Sequence, residues 1–311
     1  MAHIDQVSPT QPELPDAPNP IAQTLRMLWN DKFAFVSTVF LLLVVFCAVF
    51  GPLLFEDIAT KQNLRGRNAP PFDFEKHWLF WLGGDALGRP LLARIIVAAQ
   101  NTIFVAAGAV FFSLVIGTSL GLLAGYTTHN ISQVIMRLAD IIMSFPSLLL
   151  AVIVLFMLES SVFNLVIVLA ITRIPIYLRT ARAETLEVRE RMFVQAARVM
   201  GASTRRIIFR HILPVVFPTL ITIATLDFAF VMLAESSLSF LGIGIQPPEI
   251  TWGLMVSQGR PYLTTAWWLS FWPGLAIILT TLSLNLLSHW MRTALDPAQR
   301  WRLENVGKKN G

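Results

Sequence analysis

The chain has 311 residues, of which 55% are hydrophobic and only 14% charged. That balance is too apolar for a soluble domain and indicates an all-α polytopic membrane protein. The net charge of +5 comes mostly from arginine, whose placement points to membrane orientation rather than nucleic-acid binding.

The first twenty residues are rich in proline and hold no lysine or arginine, so 1–33 reads as an amino-terminal tail, largely disordered at 1–20. A cleavable signal peptide needs a basic start and an earlier apolar core, whereas the first apolar run begins only near Phe33. That run, about 34–54, is the first of six predicted membrane spans; the others are about 102–125, 135–157, 162–178, 212–234 and 268–290. Cys47, the single cysteine, lies in the first span and reads as a packing residue. A long loop, 55–101, follows.

In the second span Ala109, Ser113, Gly117, Gly121 and Gly125 recur every four residues. Such a small-residue stripe lets another helix approach closely, either within the chain or from a partner subunit. The third span carries Pro146, which frees a carbonyl and kinks the helix. Its Asp140 lies one turn after Arg137, which favours a structural ion pair or an interfacial position; a place on a translocation path is the sharper alternative.

Between spans four and five lies a basic segment, 179–211. Within it Gln195-Ala196-Ala197, Gly201 four residues on, and the closing Leu213-Pro214 predict a short helix, a tight turn and a second helix. An exposed helical hairpin on a membrane protein needs a partner to cover it.

Asp227 sits about fifteen residues into the fifth span with no basic neighbour in sequence, which makes it the best candidate for a group lining a translocation path. Glu235, near the end of that span, reads as an organiser of the Ser236-Ser237-Leu238-Ser239 turn. A Trp- and Pro-containing loop, 235–267, leads to the sixth span, which Pro273 opens, and 293–311 forms a carboxyl-terminal tail.

With the amino terminus inside, 17 of the 24 lysines and arginines fall on the inner side, nine of them between Arg173 and Arg210. The positive-inside rule then places both termini and the 179–211 loop in the cytoplasm. Trp267, Trp268 and Trp272 would mark the outer interface, and Trp290 and Trp301 the inner one.

No Gly-x-x-x-x-Gly-Lys-Ser/Thr loop occurs, so the chain is not expected to bind ATP by a P-loop. The five histidines are scattered, and no metal-ligand or hydrolase spacing is present.

The 194–214 segment resembles the EAA loop of ABC-importer permeases: Glu-Ala-Ala, three residues, Gly, nine residues, then an apolar residue and Pro. Gln195 stands where the family has Glu. Other blocks resemble the dipeptide/oligopeptide/nickel group, in particular its dipeptide-permease C-type subunit. They are Gly84-Asp85-Ala86-Leu87-Gly88-Arg89, Met136 to Leu150, Leu238 to Gly242, Gln246-Pro247-Pro248, Trp252-Gly253 and Ala294-Leu295-Asp296-Pro297.

The resemblance implies a type I ABC-importer permease (MetI-like) fold in the bacterial inner membrane. It further implies a homologous second permease, two ABC ATPase subunits and a solute-binding protein as partners. ATP and Mg would belong to the ATPases and no cofactor to this chain. Gln195, Ala196, Ala197, Gly201, Ala202, Arg205, Leu213 and Pro214 would form the ATPase-coupling segment. Gly117, Gly121 and Gly125 would serve helix packing. An ion-coupled carrier using Asp227 and Asp140 would favour paired broken helices in internal repeats, which the sequence does not show. A membrane enzyme lacks any catalytic constellation.

Overall fold

The computed structural model describes residues 20–75, 77–127, 129–159 and 161–295. The tail at 1–19, Trp301 and the closing Asp296-Pro297 lie outside the described residues. The elements are helical: α1 Pro20–Asn30, α2 Lys32–Thr60, α3 Leu91–Tyr126, α4 His129–Met143 and α5 Ser147–Met157. There follow α6 Val162–Val188, α7 Met192–Val199, α8 Thr204–Ile207, α9 Leu213–Phe240, α10 Trp252–Gly259 and α11 Trp268–Leu295.

Five helices are long and apolar enough to cross a membrane: α2, α3, α6, the run Thr204–Phe240 through α8 and α9, and α11. The sixth span is the pair α4 and α5, bent by 84° at the break before Pro146, where the missing N–H and the ring end one helix and start the next. The fold is therefore an all-α bundle with six spans, the bent pair counted as one.

The helices overrun the expected boundaries because hydrogen-bonded backbone continues past the apolar core of each span. Of 55–101 only 61–90 separates α2 from α3, and α6 carries 179–188 out of the expected loop. Helix α9 reaches Phe240, and α10 lies within 235–267. Pro273 sits in the second turn of α11 rather than at its start. Helix α1 occupies part of the expected tail; Asp31 then caps α2, its carboxylate accepting from the Ala34 N–H at 3.1 Å.

Met27, Ala34 and Trp290 pack together, so both ends of the described chain meet at one end of the bundle. Helix α7 shares that end, here called the basic end, since Arg198 donates from α7 to the Tyr126 hydroxyl at the end of α3. Trp290 and Trp268 are buried against protein rather than spread in a lipid-facing belt; the Trp268 indole donates to the Gly84 carbonyl.

The small-residue stripe faces α6 of the same chain. A Cβ on Gly117 would meet the Ile174 carbonyl at 2.7 Å, one on Gly121 the Leu178 carbonyl at 2.5 Å, and one on Gly125 the Thr185 side chain at 2.6 Å. Backbone contact of this kind replaces the hydrophobic drive that lipid cannot supply. Gly121→Leu is expected to force α3 and α6 apart and cost about 3 kcal/mol or more. Thermal unfolding of the detergent-solubilised chain checks this; an unchanged midpoint refutes it.

Candidate functional site

The 194–214 segment folds as a short helix, a turn and a second helix. Helix α7 ends in a complete Schellman motif: the Ala202 N–H donates to Ala197 C=O and the Gly201 N–H to Arg198 C=O, both at 3.0 Å. Gly201 closes it at φ +81°, a conformation that L side chains rarely adopt. Nothing lies within 4 Å of a Cβ placed there, so conformation, and not close packing within the chain, requires glycine. Ser203 then starts α8 by accepting from the Arg206 N–H, and a π-helical turn, Ile208–Ile212, leads into α9.

The helix is held to the bundle from below. Val194 and Ala197 are buried, and Arg189 donates to the Gly125 carbonyl at 2.9 Å. Arg198 lies over the Tyr126 ring, 5.6 Å from its centroid. Gln195 and Ala196 face outward. The Gln195 amide donates to the Glu190 carbonyl at 3.0 Å, a bond a carboxylate could not make. Glutamine at this position therefore ties α7 back to the end of α6.

Three large apolar side chains stand almost fully clear of the chain beside this mount: Met192 at 85%, Val199 at 89% and Met200 at 81% exposure. Arg205 lies in a neighbouring groove with Arg206, Phe209 and Arg210. Leu213 is half-buried. Pro214 borders a cavity of about 690 Å³ between α6, α9 and α11, shared with Glu184, Thr219, Thr222 and Arg292. Of the predicted coupling residues, Gln195, Ala196, Gly201, Arg205 and Pro214 are exposed, Ala202 and Leu213 half-buried and Ala197 buried. Exposed apolar side chains close in sequence to arginines are a pattern found at protein contact sites.

Asp227 is 3% exposed and fully engaged. The Arg173 guanidinium pairs with it, its Nε at 2.6 Å, and the Tyr177 hydroxyl donates to its other oxygen at 3.0 Å. Arg173 also lies over the Phe230 ring at 4.2 Å. Sequence order grouped Arg173 with the basic segment, but it sits mid-way along α6, 54 residues from its partner. The signal available was an arginine inside one apolar span and an aspartate inside another. Asp140 pairs with Arg179 on α6 at 2.6 Å rather than with Arg137. Both partners are half-exposed, so this pair contributes little to stability.

Glu235 is wholly buried and accepts from Ser239 at 2.8 Å and Ser236 at 3.3 Å. These bonds organise the end of α9 on which α10 rests, the Gly253 backbone meeting that of Ser236. A polar cluster at the same end escaped sequence reasoning. Asp85 binds Arg89 at 2.6 Å and Arg94 at 2.7 Å, and Arg94 reaches Gln258 of α10 at 3.1 Å. The Gly-Asp-Ala-Leu-Gly-Arg block is thus a buried clasp joining the first loop to α3 and α10. Among the described residues no group of three or more His, Cys, Asp or Glu side chains could hold a metal.

Residues 117–301 match the family model for the binding-protein-dependent transport system inner membrane component, and 19–71 that for the N-terminal TM domain of oligopeptide transport permease C. A di/tripeptide transport system permease protein DppC of Pseudomonas aeruginosa is 39% identical over 286 residues, 90% of this chain and 93% of that protein. A probable D,D-dipeptide transport system permease protein DdpC of Escherichia coli is 37% identical, covering 89% of this chain and 91% of its own. An Escherichia coli glutathione transport system permease protein GsiD is also 37% identical, over 88% of each chain. In fold, a chain of the MetNI methionine ABC transporter aligns with a TM-score of 0.56 at 18% identity, covering 67% of this chain and 98% of that one. Matches of this length, on the same helices that carry the stripe, the buried pair and the α7 hairpin, make the chain a member of the binding-protein-dependent ABC-importer permease family, of the dipeptide-permease C type.

Proposed function

We propose that the chain forms half of a translocation path for peptides or related small solutes, working with a homologous second permease. Helix α7 seats in a cleft on one of two ABC ATPase subunits, which bind the ATP and Mg, while a solute-binding protein delivers cargo at the opposite end. The basic end, with both termini, then faces the cytoplasm, in keeping with its arginines. The relatives named for di/tripeptides, D,D-dipeptides and glutathione support this substrate range.

One observation carries the reading: α7 is fixed to the ends of α3 and α6, yet presents Met192, Val199 and Met200 uncovered. A short helix held this way transmits rigid-body motion of a partner to the bundle. Asp140 and Asp227 border the solute path on this reading, the latter through Arg173, which is partly exposed.

Proteoliposome uptake tests it. Solute accumulation is expected only when the second permease and the ATPases are present with ATP. Accumulation by this chain alone refutes the assignment. An ion-coupled carrier would instead show uptake driven by an imposed proton gradient and lost in Asp227→Asn.

A further inference from the structure

Ala34 of α2 and Trp290 of α11 lie at the basic end, so Thr60 and Trp268 lie at the far end, where 61–90 joins α2 to α3. This loop folds back along the spans. Trp78 lies against Phe55 of α2, ring centroids 6.0 Å apart, and Phe55 is five residues, about 7.5 Å, back from the end of that helix. Phe72 lies against Trp272 at 6.1 Å, and Trp272 is four residues, about 6 Å, inside α11. Phe74 and Trp81 meet at 5.6 Å, and the Phe72 N–H donates to the Trp81 carbonyl at 2.9 Å, so both contacts belong to one folded unit. Buried Leu79 pins the unit to the core, while Phe72, Phe74, Trp78 and Trp81 all stay exposed. On α11 the exposed Trp267 and Phe271 extend the row of rings, 5.3 Å from each other, with Phe271 5.0 Å from Trp272.

We infer that 61–90 is a membrane-interface anchor, its aromatic face lying among the headgroups and ester groups of the leaflet opposite α7. The surface of α2 changes character at Phe55. Leu53 and Leu54 before it are strongly exposed, as lipid-facing side chains are, whereas Glu56 and Asp57 after it are exposed and charged. A spanning helix makes that change where hydrocarbon gives way to headgroups. Phe55 therefore marks the boundary, and Trp78 is held beside it. Aromatic rings, and the half-apolar indole above all, concentrate in this layer. The backbone suits it too: the N–H groups of Gly66, Ala69, Phe72, Phe80, Trp81 and Gly83 all donate within the loop and need no water. A soluble protein seated on this end would meet the surface beyond Phe55, not rings drawn back beside the spans. Because the unit touches both α2 and α11, it sets the depth of the two helices in the bilayer together.

Spin labelling of the full chain in liposomes of phosphatidylethanolamine and phosphatidylglycerol tests this. With Cys47→Ala as background, a nitroxide is placed at Glu75→Cys in the loop, at Leu53→Cys as the hydrocarbon reference and at Met200→Cys as the water reference. Collisions with oxygen, which dissolves in lipid, and with a nickel chelate, which stays in water, read the depth. The label at Glu75→Cys is expected to lie between the two references, with oxygen collisions favoured. Adding Phe74→Ser, Trp78→Ser and Trp81→Ser should shift it to the water value while the Leu53→Cys label stays in place, which separates release of the loop from unfolding. A loop label that already matches the water reference in the parent chain, or that is closed to both reagents, overturns the proposal, whether or not the serine variant folds. So does a label open to nickel in the chain alone and protected only after a solute-binding protein or second permease is added, the result for a protein seat.

Discussion

Asp227→Ala is expected to destabilise the chain by about 3–5 kcal/mol, because it strands the Arg173 guanidinium inside a helical bundle. Asp227 is almost completely buried, and two donors on α6 converge on it, so the carboxylate is the fixed point of the α6–α9 contact. Arg173 is less enclosed, with a side chain 18% exposed, and could swing toward water, which puts the cost nearer the lower end of that range. Asp227→Asn keeps the shape and loses the charge, and should cost less. The double variant Arg173→Met with Asp227→Leu removes both charges and should recover most of the loss, since a buried ion pair is often replaceable by apolar groups of similar volume. Thermal unfolding and yield of the purified chain measure each step. If the double variant folds as wild type but the assembled importer no longer transports, the pair serves the path. If transport survives, the pair is structural only.

The sequence shows the architecture well and the long-range pairings poorly. Spans were readable because lipid demands a continuous apolar run, and the break in the third because proline cannot continue a helix. The α7 hairpin was readable because its turn depends on a local feature, a glycine at positive φ. The stripe from Ala109 to Gly125 gave its spacing but not its partner, since close approach looks the same whether α6 or another subunit supplies the second backbone. Arg173 with Asp227, and Arg94 with Gln258, join elements far apart in the chain, and no local periodicity records them. Helix α1 escaped notice because, at eleven residues, it is too short to register as a span.

Gly201→Asp is expected to leave the chain in the membrane while reducing ATPase co-purification by about tenfold or more. A non-glycine residue at φ +81° pulls the turn toward a right-handed conformation. The Ala202-to-Ala197 and Gly201-to-Arg198 bonds then weaken, and α7 frays at the end that carries Val199 and Met200. The damage stays local, because nothing in the chain packs on Gly201 and Val194 and Ala197 still anchor α7. Met200→Asp tests the surface without disturbing the turn: it places a charge at the centre of the exposed apolar patch, and burying it under a partner is costly. Gly201→Asn separates the two causes, since asparagine tolerates positive φ far better than aspartate is tolerated under a partner, and should retain more of the association. Co-purified ATPase per unit of membrane-inserted chain is the quantity to measure. Wild-type levels in both Gly201→Asp and Met200→Asp would remove α7 as the docking helix and leave the neighbouring Arg205–Arg210 groove to take its place.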